Sequence, residues 1–364
     1  MQLTALISEL LEKNQPMVCY RLPGATQPVC LAGGAFSQVT DPSALPSAEG
    51  FIIAPFHPSP GNHTLLYEDG MRLEGWNPVI PALVSESPVN PRPEYVESYK
   101  CIDIEEYNNQ ADHMVKKLRA GELRKVVLSR VVHHSLQEGF HAGLFFELLC
   151  QTYPNAFVYL FNDGKREVWT GATPEVLLEV NQGQGETMSL AATLPSRKGG
   201  NWEPEWQIKE KAEQFLVTQF IRDKLITSEI KEFIEEELET RQAGPVMHLL
   251  KRFRFEIPAE FPPLKLALAL HPTPAVCGLP RKEALHEILK VECHDRGYYS
   301  GFLGPFSNKE ATHLFVNLRC MQIIDKNAFI FVGGGLLAES DIEREWQETE
   351  LKAETLLSVI RKLN

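Results

Sequence analysis

Strand-like segments that come in closely spaced pairs constrain this chain more than any other feature. Residues 125–133 are rich in β-branched side chains, 156–161 are soon followed by 167–170, and 312–324 by 328–332. Short connections of this kind join antiparallel strands, because parallel neighbours need a crossover of a dozen or more residues. Residues 298–304 read as a further strand. Helical periodicity lies between, over 103–120, 142–150, 205–226, 281–291 and 341–362. The pattern predicts an α/β body of the α+β kind, with layered antiparallel sheets flanked by helices and no doubly wound sheet. No Gly-x-Gly-x-x-Gly follows a strand with an acid downstream, which disfavours a dinucleotide fold.

The 364 residues read as one large domain, 1–364, with a Pro/Gly-rich part over 1–98 and a second part over 99–364. Pro88, Pro91 and Pro93 mark the internal linker between them. The first fourteen residues mix Glu9, Glu12 and Lys13 into an apolar period, which fits an amphipathic helix and not a signal peptide. No apolar run reaches the length of a membrane span. The seven cysteines are odd in number and form no Cys-x-x-Cys pair, as expected of thiols in a reducing cytoplasm. Lys and Arg number 36 against 48 Asp and Glu, a net charge of −12, which argues against nucleic acid as a partner.

Several charged residues stand where the pattern calls for apolar ones. On the helix over 205–226, Glu213 falls in the middle of the stripe formed by Trp206, Leu216, Val217 and Phe220. A carboxylate there needs a cation, either a metal ion or Lys209 one turn back. On the last helix Glu345, Glu348 and Lys352 share a face, which fits either a solvated surface or an oxygen-ligand site for Mg²⁺. Gly333, Gly334 and Gly335 lie between a strand and that helix. They read as a loop, either a plain tight connection or one whose N–H groups approach an anion. Arg319 shares a strand face with His313, Phe315 and Asn317, as a carboxylate-binding cleft or an exposed sheet face would require. Lys125 at a strand entry is a solvated cation or, if desolvated, a base. Glu175 after Thr173-Pro174 reads as the first turn of a helix, complementing its dipole or serving as an acid.

Together these segments resemble the chorismate-utilising enzymes, and within them most the isochorismate synthases. The resemblance rests on Lys125-Val-Val-Leu-Ser-Arg130, Gly171-Ala-Thr-Pro-Glu175, Leu190-Ala-Ala-Thr193, Glu210-Lys-Ala-Glu213, Leu270-His-Pro-Thr-Pro-Ala-Val-Cys-Gly278 and Arg296-Gly-Tyr-Tyr-Ser-Gly301. Leu318-Arg319, Gly333-Gly-Gly335 and Glu345-Trp-Gln-Glu-Thr349 with Lys352 complete it. These motifs follow the family's order over roughly residues 100–364. The first hundred residues match no motif and correspond to the variable portion of the same body.

The resemblance implies the anthranilate synthase component I-like fold and a Mg²⁺-dependent, reversible conversion of chorismate to isochorismate. It makes Lys125 the base and Glu175 the acid. It assigns Glu213, Glu345 and Glu348 to Mg²⁺. Ala192, Thr193, His271, Ala275, Tyr298, Arg319, Gly333, Gly334, Gly335 and Lys352 would contact substrate. Lys125 matches the lysine of the enzymes that use water as nucleophile. Ala191 stands where aminodeoxychorismate synthases carry a nucleophilic lysine, and Ala275 where aminating enzymes carry threonine. All three imply hydroxylation, with no glutaminase subunit and a monomer as the working unit. The isochorismate would enter menaquinone or siderophore biosynthesis. The rival readings are a salicylate synthase, an aminating subunit and a non-catalytic chorismate-binding protein. Ala192 replaces a usual glycine and Gln214 a frequent histidine, which touches the geometry of the substrate site.

Overall fold

The computed structural model describes residues 2–42, 49–81, 84, 89–90, 99–164, 168–196, 204–258, 261–307 and 311–363. The proline linker at Pro88, Pro91 and Pro93 lies outside these residues, as does Glu167. Two antiparallel sheets face each other. The first runs, in spatial order, β15 (Gly278–Leu279), β7 (Lys125–Ser135), β19 (Asn327–Leu336), β18 (Cys320–Ile324), β9 (Val168–Thr173), β8 (Phe157–Asn162), β1 (Met17–Arg21), β2 (Val29–Ala32) and β6 (Met71–Glu74). The second runs β12 (Phe233–Glu235), β14 (Val246–Glu256), β11 (Gln184–Pro195), β10 (Val176–Asn181), β17 (Thr312–Val316), β16 (Phe302–Ser307), β4 (Glu49–Ala54), β5 (Thr64–Glu68) and β3 (Ala35–Val39), with β13 (Glu239–Ala243) paired to β14. Strands from the first hundred residues are thus hydrogen-bonded into both sheets, β1 to β8 and β4 to β16.

The space between the sheets is filled by aromatic side chains from both. Phe157 and Phe315 stack at 4.2 Å, with Tyr159, Phe161, Trp169 and Phe331 around them. The helices α1 (Leu3–Glu12), α3 (Ala142–Thr152) and the second half of α7 (Ile342–Ile360) bury their apolar faces on the outside of the first sheet. On the outside of the second sheet lie α4 (Ile208–Thr227) and α5 (Pro263–Leu270). The helices α2 (Ile104–Arg119) and α6 (Arg281–Val291) cover Val126 and Leu128 of β7. Among the described residues, no helix is long and apolar enough to cross a membrane.

Three expectations are corrected. The strand expected over 312–324 is two strands in different sheets. Asn317, Leu318 and Arg319 carry the chain across, with Arg319 at φ 50°. Buried Asn317 secures the crossing: its amide donates to the Tyr298 carbonyl at 2.9 Å and accepts from the Tyr159 hydroxyl at 2.6 Å. His313 and Arg319 therefore share no strand face, and His313 pairs instead with Glu179 at 3.3 Å. Glu175 opens no helix. It lies at a second crossing, from β9 of one sheet to β10 of the other, with its N–H on Thr173 Oγ1 at 3.3 Å. Finally, the three glycines are no loop. They extend β19 and pair with Ser129, Leu128 and Val127 of β7.

Candidate active site

The two sheet crossings lie side by side. The Val316 N–H donates to the Glu175 carbonyl at 3.0 Å and the Ala172 N–H to the Arg319 carbonyl at 3.1 Å. Side chains at both crossings turn into one cleft at the end of the sandwich. Its walls include Glu175, Ala192, Thr193, Glu213, Ala275, Arg319, Gly333, Gly335, Glu348 and Lys352. The strand β18 ends opposite Phe331, so from Val332 onward β19 has a ladder partner on the β7 side only. Its other edge has no strand partner among the described residues, and the Gly333 carbonyl accepts from Lys352.

The glycines also make room. A Cβ on Gly335 would stand 2.6 Å from Glu213 Oε1 and 3.1 Å from Lys125 Cε. A Cβ on Gly333 would stand 2.8 Å from the Tyr299 hydroxyl. Gly334 faces the other way, and a Cβ there would meet Glu345 Oε2 at 3.4 Å and Glu348 Oε1 at 3.9 Å.

Beneath Gly335, Lys125 is completely buried and its Nζ lies 2.9 Å from Glu213 Oε1. The contact is an ion pair without an aligned hydrogen bond, since the ammonium has no well-directed acceptor. Of the two readings of Lys125, the solvated cation is set aside: the residue is buried and its immediate neighbour is an anion. The Lys209–Glu213 alternative is also replaced, because Lys209 reaches across to Glu345 at 2.6 Å. A third pair joins Lys352 to Glu348 at 2.6 Å, and Lys352 also donates to the Gly333 carbonyl at 2.8 Å.

The electrostatics follow from burial against these pairings. Burial alone would raise Glu213, but Lys125, Lys352 and Lys209 overcome it and hold its carboxyl below the usual range. Glu175, only 2% exposed, has no carboxylate-neutralising contact of that kind. Burial pushes it up to about 8, against the opposing pull of Lys125, Lys352 and Arg319. Glu345 is pushed up to about 7 by burial and then by the charge of Glu348, which Lys209 only partly offsets.

Three expected contacts do not line the cleft, Gly334 because it faces the other way and two more because their side chains point elsewhere. His271 turns away and bonds the Pro55 carbonyl at 3.1 Å, its ring edge-on to Phe302. Tyr298 points its hydroxyl at the His63 carbonyl, 3.2 Å away, and packs on Trp169. Their places are taken by residues the sequence reading passed over, His248 and Tyr299. His248 Nδ1 lies 2.9 Å from the Ala192 carbonyl, which can only accept, so the proton is on Nδ1. Nε2 is then free to accept from Arg319 Nη2 at 3.2 Å. Burial, then Arg319 and Lys352, push His248 down to about 3, so it stays neutral. The available signal was a lone polar residue inside the apolar run Val246-Met-His-Leu-Leu250. Ala192 sits at φ 61°, beside an irregularity in the β11–β14 register. That left-handed conformation explains why a glycine is usual at this position.

Among the described residues, no three His, Cys, Asp or Glu side chains form a metal cluster. Glu345 and Glu348 approach β19 at Gly334, Glu213 approaches it at Gly335, and each carboxylate is met by a lysine. The donor set nevertheless suits a hard dication. It is all carboxylate, Glu213 and Glu348 share the cleft wall, and Glu345 lies beside Glu348 at Gly334.

The family model for chorismate binding enzymes matches residues 79–361, and the chain belongs to that family. It is 28% identical over 249 residues to isochorismate synthase MenF of Haemophilus influenzae, an alignment covering 67% of this chain and 57% of that protein. It is 26% identical over 270 residues to isochorismate synthase DhbC of Bacillus subtilis, covering 70% of this chain and 67% of that protein. The chain thus spans between about half and two-thirds of the length of these curated relatives. Its fold is shared with the solved structure of MenF, the menaquinone-specific isochorismate synthase of Escherichia coli, at a TM-score of 0.77 and 21% identity over 98% of this chain and 91% of that one.

Proposed function

We propose that this chain is an isochorismate synthase, an isomerase that adds water at ring C2 of chorismate, shifts the double bonds and releases the C4 hydroxyl. The observation that carries the reading is the placement of a lysine and a protonated carboxyl at one cleft. Lys125 is buried beneath it, and Glu175 is a carboxyl kept protonated near neutral pH. Attack requires a base for the water proton, and loss of hydroxide requires an acid. Lys125 in its neutral form takes the proton from the attacking water. Glu175 gives its proton to the departing C4 oxygen, which leaves as water, and passage of a proton from Lys125 to Glu175 through solvent returns both groups to their starting states. Arg319, Lys352 and the open edge of β19 bind the carboxylates of the substrate. His248, neutral and fixed in one tautomer, orients the Arg319 guanidinium.

Glu213 and Glu348, with Glu345 near them, are the residues that would hold Mg²⁺. Bound there, the ion would supply Lewis-acid polarisation of the ring carboxylate. Ala191 and Ala275 support water over ammonia as the nucleophile. The seven cysteines are all unpaired, which supports a reducing cytoplasm as the site of the reaction. The working unit is taken as a monomer without a glutaminase subunit, and its product as a precursor for menaquinone or a siderophore. Chromatography after incubation with chorismate and Mg²⁺, without ammonia, tests the reading. Isochorismate supports it, salicylate fluorescence shifts it to a salicylate synthase, and unchanged chorismate refutes it.

A further inference from the structure

Arg130 lies on β7 opposite Val332 of β19, with its side chain on the outer face of the sheet beside α7. It is only 3% exposed. Nε donates to Thr349 Oγ1 at 2.8 Å, Nη2 bonds the Glu350 carboxylate, and the guanidinium lies 3.8 Å above the Trp346 ring. The Thr349 hydroxyl gives its own proton to the Trp346 carbonyl at 2.7 Å, so its oxygen is committed to accepting from Arg130. Trp346 is braced from behind by Tyr107 of α2, edge-on at 5.2 Å.

The touched positions 346, 349 and 350 alternate along α7 with Glu345, Glu348 and Lys352. The second half of the helix is held by apolar contacts of Leu356, Val359 and Ile360. Its first half carries Glu345 and Glu348, with Lys352 just past the midpoint, and there Arg130 bonds Thr349 and Glu350 and stacks on Trp346, which packs with Ile342 against α2 and β7. A helix turns about 100° per residue, so losing those contacts would swing the carboxylates away from β19.

We infer that Arg130 is a positioning residue, which sets the rotation of α7 and so aims Glu345, Glu348 and Lys352 at the cleft. The inference rests on the proposed function for what those groups do. Lysine cannot take this role, since a point charge offers neither the planar stack nor the forked donors.

The test compares wild-type protein with Arg130→Lys, Thr349→Val and Glu350→Gln. Calorimetric titration with Mg²⁺ alone gives metal affinity, steady-state kinetics give kcat and KM separately, and melting curves give stability. Arg130→Lys is expected to weaken Mg²⁺ binding about 10–100-fold, the usual effect of losing an outer-shell partner. Thr349→Val should weaken it several-fold, and Glu350→Gln, which keeps an acceptor for Nη2 but loses the charge of a half-exposed partner, should weaken it less. If Arg130→Lys does not fold, Thr349→Val carries the comparison. A folded variant that melts lower but binds Mg²⁺ like the wild type overturns the inference, because a merely structural arginine would behave so. Wild-type protein that binds Mg²⁺ but leaves chorismate unchanged counts against the proposed function, and the Arg130 comparison by calorimetry still decides the positioning role.

Discussion

Lys125 Nζ stands 2.9 Å from Glu213 Oε1, although one residue opens a strand of the first sheet and the other rides a helix packed on the second. The pair spans the sandwich at the cleft, and Gly335 is what lets it form. Removing one partner leaves a largely buried charge uncompensated, at a typical cost of about 3–5 kcal/mol. Lys125→Ala should therefore lose both turnover, by roughly 10²–10⁴-fold, and stability. The double variant Lys125→Ala with Glu213→Gln should recover much of the stability and none of the activity. Melting curves and turnover for the three proteins check this; equal stability of the single and double variants would contradict the pairing.

Glu175 predicts a pH signature. Its folded pKa, about 8, lies above the ordinary glutamate value of 4.5, so the folded chain keeps a proton there that the unfolded chain gives up. The stabilising contribution is fully present below pH 4.5 and is lost as pH rises through about 8. Glu175→Gln should flatten that decline while lowering turnover by about 10²–10⁴-fold. In the wild type, kcat/KM should fall on the alkaline side near pH 8 as the acid deprotonates. Denaturant midpoints against pH for both proteins give the comparison.

Gly335→Ala tests the spatial argument. The new Cβ would press on Glu213 Oε1 and Lys125 Cε, so one of the pair must shift. Overpacking of this kind costs about 1–3 kcal/mol. The loss of activity should exceed the loss of stability, because the displaced groups are the reacting ones. A variant with normal kcat would show that the pair tolerates displacement.

Ala192 predicts a gain. At φ 61° an alanine is strained and a glycine is not. Ala192→Gly should be neutral or stabilising by up to about 1 kcal/mol, where the same change inside an ordinary strand destabilises by a similar amount. A clear drop in the melting midpoint would contradict the assigned conformation.

The helices and most strands were legible because burial on one face leaves a period in the sequence. The predicted 281–291 helix matches α6 at both ends. The sheet crossing at Asn317–Arg319 was not legible. Val316 and Leu318 continue the strand alternation, and the residue that takes positive φ is an arginine, which carries no turn signal. Glycines usually punctuate loops, so Gly333, Gly334 and Gly335 read as one. Here they stay in a strand because side chains from α4, α7 and β7 need the space. The charged residues of the cleft could be picked out because each broke a pattern. Their partners could not, since Lys209 with Glu345 and Lys125 with Glu213 are joined only by the packing of distant segments. The adjacent tyrosines show the limit most plainly: sequence cannot say which of Tyr298 and Tyr299 faces the cleft, and the chain turns the second one in.

In the proposed reaction solvent water, activated at Lys125, becomes the C2 hydroxyl while Glu175 releases the C4 oxygen. Turnover of chorismate in heavy-oxygen water with Mg²⁺, followed by mass spectrometry of the product, tests it most directly. The expected product is isochorismate carrying one heavy oxygen at C2, formed without ammonia. Unlabelled isochorismate, an aminated product or unconverted chorismate would contradict it.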